Sequence, residues 1–75
     1  MQLGTRWIVG SEPPTSVPEP VRAAIAQVER DLDGVDTSQW RWTLTWLERR
    51  PVVELDDGTT IRVGHDGSVS IVDPD

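Results

Sequence analysis

The sequence predicts an α+β domain with the element order β-α-β-β-β-β, in which one helix packs on one face of a mostly antiparallel sheet. Two turn triplets nine residues apart, 56–58 and 65–67, each end in glycine and precede an alternating apolar and polar run. Asp-Gly between such runs is a strong hairpin signal. A single stretch with helical apolar spacing lies upstream. The C-terminal half is therefore predicted to be a four-stranded antiparallel meander.

The length and composition predict one small domain over residues 1–75, with the ends 1–4 and 73–75 frayed. A chain of 75 residues buries only a thin core. It has no cysteine, so neither a disulfide nor a thiolate metal site is expected to support it. The four tryptophans are therefore expected to supply much of the core.

The charge and the residue usage restrict the class of protein. A net charge of -6 argues against a general nucleic-acid binder, since phosphate contacts dominate that affinity. No secretory signal and no apolar run of about 20 residues is present, so a cytoplasmic protein without membrane contact is expected. Every basic residue but the single histidine is arginine, and lysine, asparagine, phenylalanine and tyrosine are absent. This usage indicates a GC-rich, bacterial genome.

The first predicted strand covers residues 5–9 and ends at Gly10. Its β-forming residues place Trp7 and Val9 on one face and Ile8 on the other. Two positions in the sheet stay open. The strand lies parallel to the tryptophan-rich strand through a right-handed crossover, or it lies along the far edge of the meander.

The helix is predicted to begin at Pro18 and to end before Gly34. Pro20 is tolerated in the first turn, where backbone donors lack partners. Ser16 and Glu19 have the spacing of a capping box. The residues with helical apolar spacing are Val21, Ala24, Ile25, Val28 and Leu32.

The register of the last three strands follows from side-chain parity, meaning that directly opposed residues lie on the same face of the sheet, so that apolar residues must lie opposite apolar residues. A three-residue loop at 56–58 pairs Val53 with Ile61 and keeps apolar residues together. The loop at 65–67 likewise pairs Ile61 with Ile71. Glycine ends both loops, where a left-handed residue is needed.

The tryptophan-rich strand, residues 39–48, is predicted to pair Trp46 with Val53 and Leu44 with Leu55. Parity then assigns every strand residue to a face. The predicted core face comprises Trp7, Val9, Trp40, Trp42, Leu44, Trp46, Val53, Leu55, Ile61, Val63, Val69 and Ile71. The opposite face is predicted to carry Arg6, Arg41, Thr43, Thr45, Val52, Glu54, Thr60, Arg62, Ser68 and Ser70.

The polar sheet face is the candidate interaction surface, since arginine is enriched at protein interfaces and binds carboxylates in a bidentate way. A simple solvated face is the alternative. The predicted surface residues are Arg6, Arg41, Thr43, Thr45, Thr60 and Arg62. Trp40 and Trp46 are candidate anchors at the sheet edge, because one short helix is not expected to cover all four indoles.

The sequence favours a non-enzymatic protein-interaction or regulatory module that binds a protein, or a second copy of itself, through this face or a sheet edge. One alternative is a nucleic-acid accessory protein that uses an arginine patch. That patch comprises Arg6, Arg41, Arg49, Arg50 and Arg62, with Arg49 and Arg50 at a turn.

A second alternative is a small hydrolase or metal enzyme centred on His65. It is disfavoured because no nucleophile and no second histidine accompany this residue. No catalytic residue, metal ligand or cofactor is predicted, and the protein is not expected to be an enzyme.

Overall fold

A computed structural model describes residues 4–74 as a five-stranded antiparallel sheet with one helix packed against one face. The elements are β1 (Thr5–Ile8), α1 (Glu19–Asp31), β2 (Arg41–Leu47), β3 (Arg50–Leu55), β4 (Thr60–Val63) and β5 (Val69–Val72). The strands lie in the order β1-β2-β3-β4-β5. The predicted α+β class and the C-terminal meander are confirmed. Of the predicted frayed ends, residues 1–3 and 75 lie outside the described residues.

Both predicted positions of the first strand are wrong, because β1 pairs antiparallel with β2. Trp7 lies opposite Trp42 on the covered face. The Val9 N–H donates to the Trp40 carbonyl oxygen across 3.2 Å, so the pairing extends beyond the regular strand. The chain therefore leaves the sheet after β1, forms the helix and returns as β2 alongside β1. Such a connection needs no crossover, because the two strands run in opposite directions.

The apolar stripe of α1 is confirmed, since Val21, Ala24, Ile25 and Val28 are buried, and Leu32 at the C-terminal cap packs against them. The predicted capping box is wrong. Pro18 occupies the N-cap position and offers no side-chain hydrogen bond.

The side chain of Arg22 instead joins the first turn of α1 to the proline-rich segment before it. Its Nε donates to the Val17 carbonyl oxygen at 3.0 Å, and its Nη2 donates to the Pro14 carbonyl oxygen at 2.7 Å. Val17 is itself buried and is part of the core.

The two predicted three-residue loops are confirmed. The Leu55 N–H donates to the Thr59 carbonyl oxygen, and Gly64 bonds Ser68 in the same way, each across 2.8 Å. Gly58 and Gly67 have φ angles of +102° and +85°. A β-branched side chain is strained at such angles, so glycine at these positions fixes both loops and the register of β3, β4 and β5.

The predicted pairing of β2 with β3 is wrong by two residues. Leu44 lies opposite Val53, and Trp46 lies opposite Pro51. The connection is a two-residue turn at Glu48 and Arg49, whose φ angles are 51° and 67°. A slip of two residues keeps every side chain on its face, so the faces predicted for both strands remain correct.

The core lies where α1 covers the sheet and centres on Trp42, Val53 and Ile61, which have no exposed surface. Two of the predicted core residues are in fact exposed. Trp46 is 40% exposed because it lies near the β2–β3 turn, and Ile71 is 38% exposed because β5 is an edge strand. The predicted core residues Val9, Trp40, Val63 and Val69 are partly buried.

We expect the double variant Glu48→Asn, Arg49→Gly to stabilise the protein. Both turn residues have a left-handed backbone, which costs a residue other than glycine about 1–2 kcal/mol, and Asn-Gly is the preferred pair for such a turn. The free energy of unfolding, measured by urea denaturation, should rise by about 1 kcal/mol after allowance for the greater freedom of unfolded glycine.

The control is Glu48→Asn, Arg49→Ala, which makes the same change at Glu48 but keeps a Cβ at position 49, where φ is positive. It should be less stable than the variant with glycine at this position. Equal stability of the two variants would show that this turn does not adopt the left-handed conformation.

Candidate interaction surface

The candidate site is the sheet face that points away from α1, called the outer face below. No helix or strand among residues 4–74 covers it. The registers place thirteen strand side chains on this face. They are Arg6, Ile8, Arg41, Thr43, Thr45, Leu47, Arg50, Val52, Glu54, Thr60, Arg62, Ser70 and Val72.

One row of the outer face crosses all five strands. Arg6, Thr43, Glu54, Thr60 and Val72 lie next to one another in register. Directly opposed side chains in such pairs have Cβ atoms about 5 Å apart. The centre of the row therefore consists of short side chains flanking one carboxylate, so a partner can approach the sheet closely there.

A second row runs beside the first and comprises Thr45, Val52, Arg62 and Ser70. Val52 and Thr60 are half-buried by their neighbours, whereas Arg62 is exposed. The two rows together present threonine, serine and valine side chains, with Glu54 and Arg62 among them and Arg6 at one end.

All six residues of the predicted interaction surface lie on the outer face. Arg6 is on β1, Arg41, Thr43 and Thr45 are on β2, and Thr60 and Arg62 are on β4. The candidate edge anchors lie elsewhere. Trp40 packs partly against the core, and the exposed Trp46 lies on the covered face beside Pro51. The sheet itself separates these indoles from the arginines.

Asp56 holds one margin of the outer face together. Its Oδ2 accepts the Arg41 backbone N–H at 3.0 Å, and its Oδ1 lies 3.7 Å from Arg6 Nη2. Both side chains of this ion pair are largely exposed, so the pair contributes little to stability. The Arg6 guanidinium is therefore held loosely and can be released to a partner.

Arg41 and Arg62 have guanidinium groups that make no hydrogen bond or ion pair with any of residues 4–74. Both residues are exposed. Glu54 also forms no ion pair with the described residues, although Arg41 and Arg62 lie diagonally from it across the neighbouring strands. These two arginines thus have their full hydrogen-bonding capacity directed to solvent.

The charges of the molecule are segregated. The outer face has four arginines, and the acids beside them are Glu54, Asp56 and Glu48, whose Oε1 lies 3.4 Å from Arg50 Nη2. The segment 12–36, which contains α1, instead has six acidic residues and two arginines. The outer face is therefore positive on a protein whose net charge is -6.

Sequence reasoning missed two features of this face. Arg50 was expected at a turn, but it pairs with Leu47 and belongs to the outer face. Arg50 lies two residues before Val52, so the alternation of side chains along a strand would have placed both on the same face. The exposed apolar side chains of Ile8, Leu47 and Val72 were not included in the predicted surface, although they lie at its ends.

The loop at His65 is organised around its own turn. Asp66 Oδ1 accepts the Ser68 N–H at 3.0 Å and the Ser68 hydroxyl at 2.7 Å, and these bonds hold the pKa of Asp66 below its usual value. His65 Nδ1 lies 3.2 Å from Arg50 Nη1. Among residues 4–74, no three side chains of the metal-binding types are grouped to hold an ion.

No protein-family model, curated protein or solved structure matches this chain. In the described part of the chain, α1 is the only helix, and it is too short and too polar to cross a bilayer.

We expect Asp56→Ala to lower the free energy of unfolding by about 1 kcal/mol, because it removes the acceptor of the Arg41 backbone N–H. Arg6→Ala should change it by less than about 0.5 kcal/mol, since the ion pair is exposed. Urea denaturation of both variants checks this. Equal losses would mean that the ion pair, and not the backbone bond, supports this margin.

Proposed function

We propose that this protein is a small, non-enzymatic, cytoplasmic bacterial module that binds an acidic segment of a partner protein through its outer face. The observation that supports this most is the uncovered positive face, in which Arg41 and Arg62 have no partner among residues 4–74. A regulatory or adaptor role is consistent with a domain this small.

The chemistry of the outer face suits a carboxylate-bearing protein surface. A guanidinium binds a carboxylate through two parallel hydrogen bonds, which gives both orientation and affinity. The threonine hydroxyls between the arginines add donors and acceptors for backbone groups of a partner. The exposed Ile8, Leu47 and Val72 add the apolar area that a protein interface also needs.

Two other occupants of this face are outcomes of the test. Nucleic acid is disfavoured because proteins that read single strands stack bases on exposed aromatic side chains. All four indoles of this protein belong to the covered side of the sheet or to the loop before β2. A second copy of the chain is the other occupant, since an open sheet face can pair with its own equivalent.

The test compares Arg41→Glu, Arg62→Glu and their double variant with Arg30→Glu. Arg30 is an exposed arginine on α1, so this control changes the net charge by the same amount as each single variant. Each protein is immobilised, exposed to a bacterial lysate and analysed by quantitative mass spectrometry. Circular dichroism checks that all variants remain folded.

We expect at least one protein whose recovery falls more than tenfold with the double variant and stays unchanged with Arg30→Glu. Loss of two bidentate contacts of roughly 1 kcal/mol each gives that magnitude. Equal recovery of every protein by the double variant and the control would contradict the proposal. Binding of a labelled DNA or RNA at low salt that depends on Arg41 and Arg62 would favour the nucleic-acid function instead.

A further inference from the structure

A crevice of about 410 Å³ lies on the covered side of the sheet, between the C-terminal half of α1 and Ile71 of the edge strand β5. The β3–β4 turn and the residues after β5 form its other walls. Its floor includes Val28, Leu32 and Ile71, and its rim includes Asp31, Asp57 and Asp73. Val28 is buried, Leu32 is half-buried, and Ile71 is 38% exposed. The crevice thus presents apolar surface that the fold of residues 4–74 does not cover.

The edge of β5 beside this crevice has unpaired backbone groups. Gly64 and Ser68 form a hydrogen-bonded pair, with an N···O distance of 2.8 Å. Hydrogen-bonded and non-hydrogen-bonded pairs alternate along an antiparallel ladder. Ser70, two residues on, therefore directs its N–H and C=O to β4, whereas Val69 and Ile71 direct theirs away from the sheet. No strand of the described chain lies on that side.

We infer that the β5 edge and the adjoining crevice bind an extended segment of another protein that carries apolar and basic side chains. The inference is independent of the proposed function, since the outer face is on the opposite side of the sheet. An added strand gains main-chain hydrogen bonds from the edge, and every second side chain enters the groove beside it.

The charge of the crevice determines the chemistry of this segment. Three aspartates border it and no arginine does. The Thr59 N–H donates to Asp57 Oδ1 at 2.8 Å, so that carboxylate is fixed in place while its other oxygen has no partner among residues 4–74. Lysine or arginine side chains would pair with these carboxylates at the rim, and apolar ones between them would cover Leu32 and Ile71.

The chain after β5 limits the length of the bound segment. Pro74 packs against the β3–β4 turn, where a Cβ on Gly58 would lie only 3.0 Å from Pro74 Cβ. The chain therefore turns away from the edge beyond Val72, and the open edge spans the four residues of β5. Only Val69 and Ile71 in this stretch have outward backbone groups, so the added strand is short.

The test uses a fluorescein-labelled nine-residue peptide, Arg-Thr-Val-Thr-Arg-Thr-Val-Thr-Arg, in which the crevice-facing positions alternate arginine and valine. The same peptide with glutamate in place of arginine is its counterpart. We expect the basic peptide to bind at least tenfold more tightly by fluorescence anisotropy. Absence of binding by the basic peptide, or equal binding by both peptides, would overturn the inference.

A charge-matched pair of variants separates the crevice from the general acidity of the protein. The double variant Asp31→Arg, Asp73→Arg should weaken binding of the basic peptide at least tenfold. The double variant Glu12→Arg, Asp33→Arg makes the same change in net charge outside the crevice and should have little effect. Equal losses in the two variants would mean attraction to the protein as a whole and would overturn the inference.

Hydrogen exchange measured by NMR tests the strand addition itself and remains informative if a variant loses stability. In the free wild-type protein the outward amides of Val69 and Ile71 should exchange quickly, and the inward amides of Ser70 and Val72 slowly. The basic peptide should slow exchange at Val69 and Ile71 by more than tenfold and leave the inward amides little changed. Peptide binding without this alternating pattern would also overturn the inference.

Discussion

The hydrogen bond from the Trp42 indole to Glu29 is the interaction on which the placement of the helix depends. Trp42 is fully buried, and a buried N–H needs an acceptor. Its Nε1 donates to Glu29 Oε2 at 2.9 Å, and the same oxygen accepts the Gly10 N–H at 3.1 Å. One carboxylate thus joins α1 to the start of β2 and to the backbone just after β1. The indole N–H of Trp7, which lies opposite Trp42, has no hydrogen-bond acceptor among residues 4–74. No side chain among these residues therefore does for Trp7 what Glu29 does for Trp42.

A helix held in this way covers only part of a five-stranded sheet. Its 13 residues span about 20 Å, and its backbone comes closest to β4 and β5. Trp46 near the β2–β3 turn therefore keeps exposed surface, and Ile71 does so because β5 is an edge strand. The outer face has no cover within the described chain, and the crevice lies between the C-terminal half of α1, the end of β5 and the β3–β4 turn. Both proposed binding surfaces remain open because the described chain has a single helix, and that helix packs on one face of the sheet only.

The sequence predicted the parts of the fold that depend on local turns and on side-chain parity. Gly58 and Gly67 gave the register of the last three strands, and alternation gave the membership of the outer face. The β2–β3 register was not predictable in this way, since a slip of two residues keeps the faces, and Glu48-Arg49 is not a pair that signals a left-handed turn. The place of β1 depends on the path of a 32-residue connection. The place of Arg50 on the outer face depends on the β2–β3 register. The crevice depends on the position of the helix.

Hydrogen exchange of the four indole N–H protons, measured by NMR in the wild type and in Glu29→Ala, tests the role of Glu29 most directly. The structure requires the Trp42 indole to exchange far more slowly than that of Trp46 in the wild type. In Glu29→Ala the Trp42 proton should exchange much faster. Equal exchange of the Trp42 and Trp46 protons in the wild type, or no change at Trp42 in the variant, would contradict the account of how the helix is held.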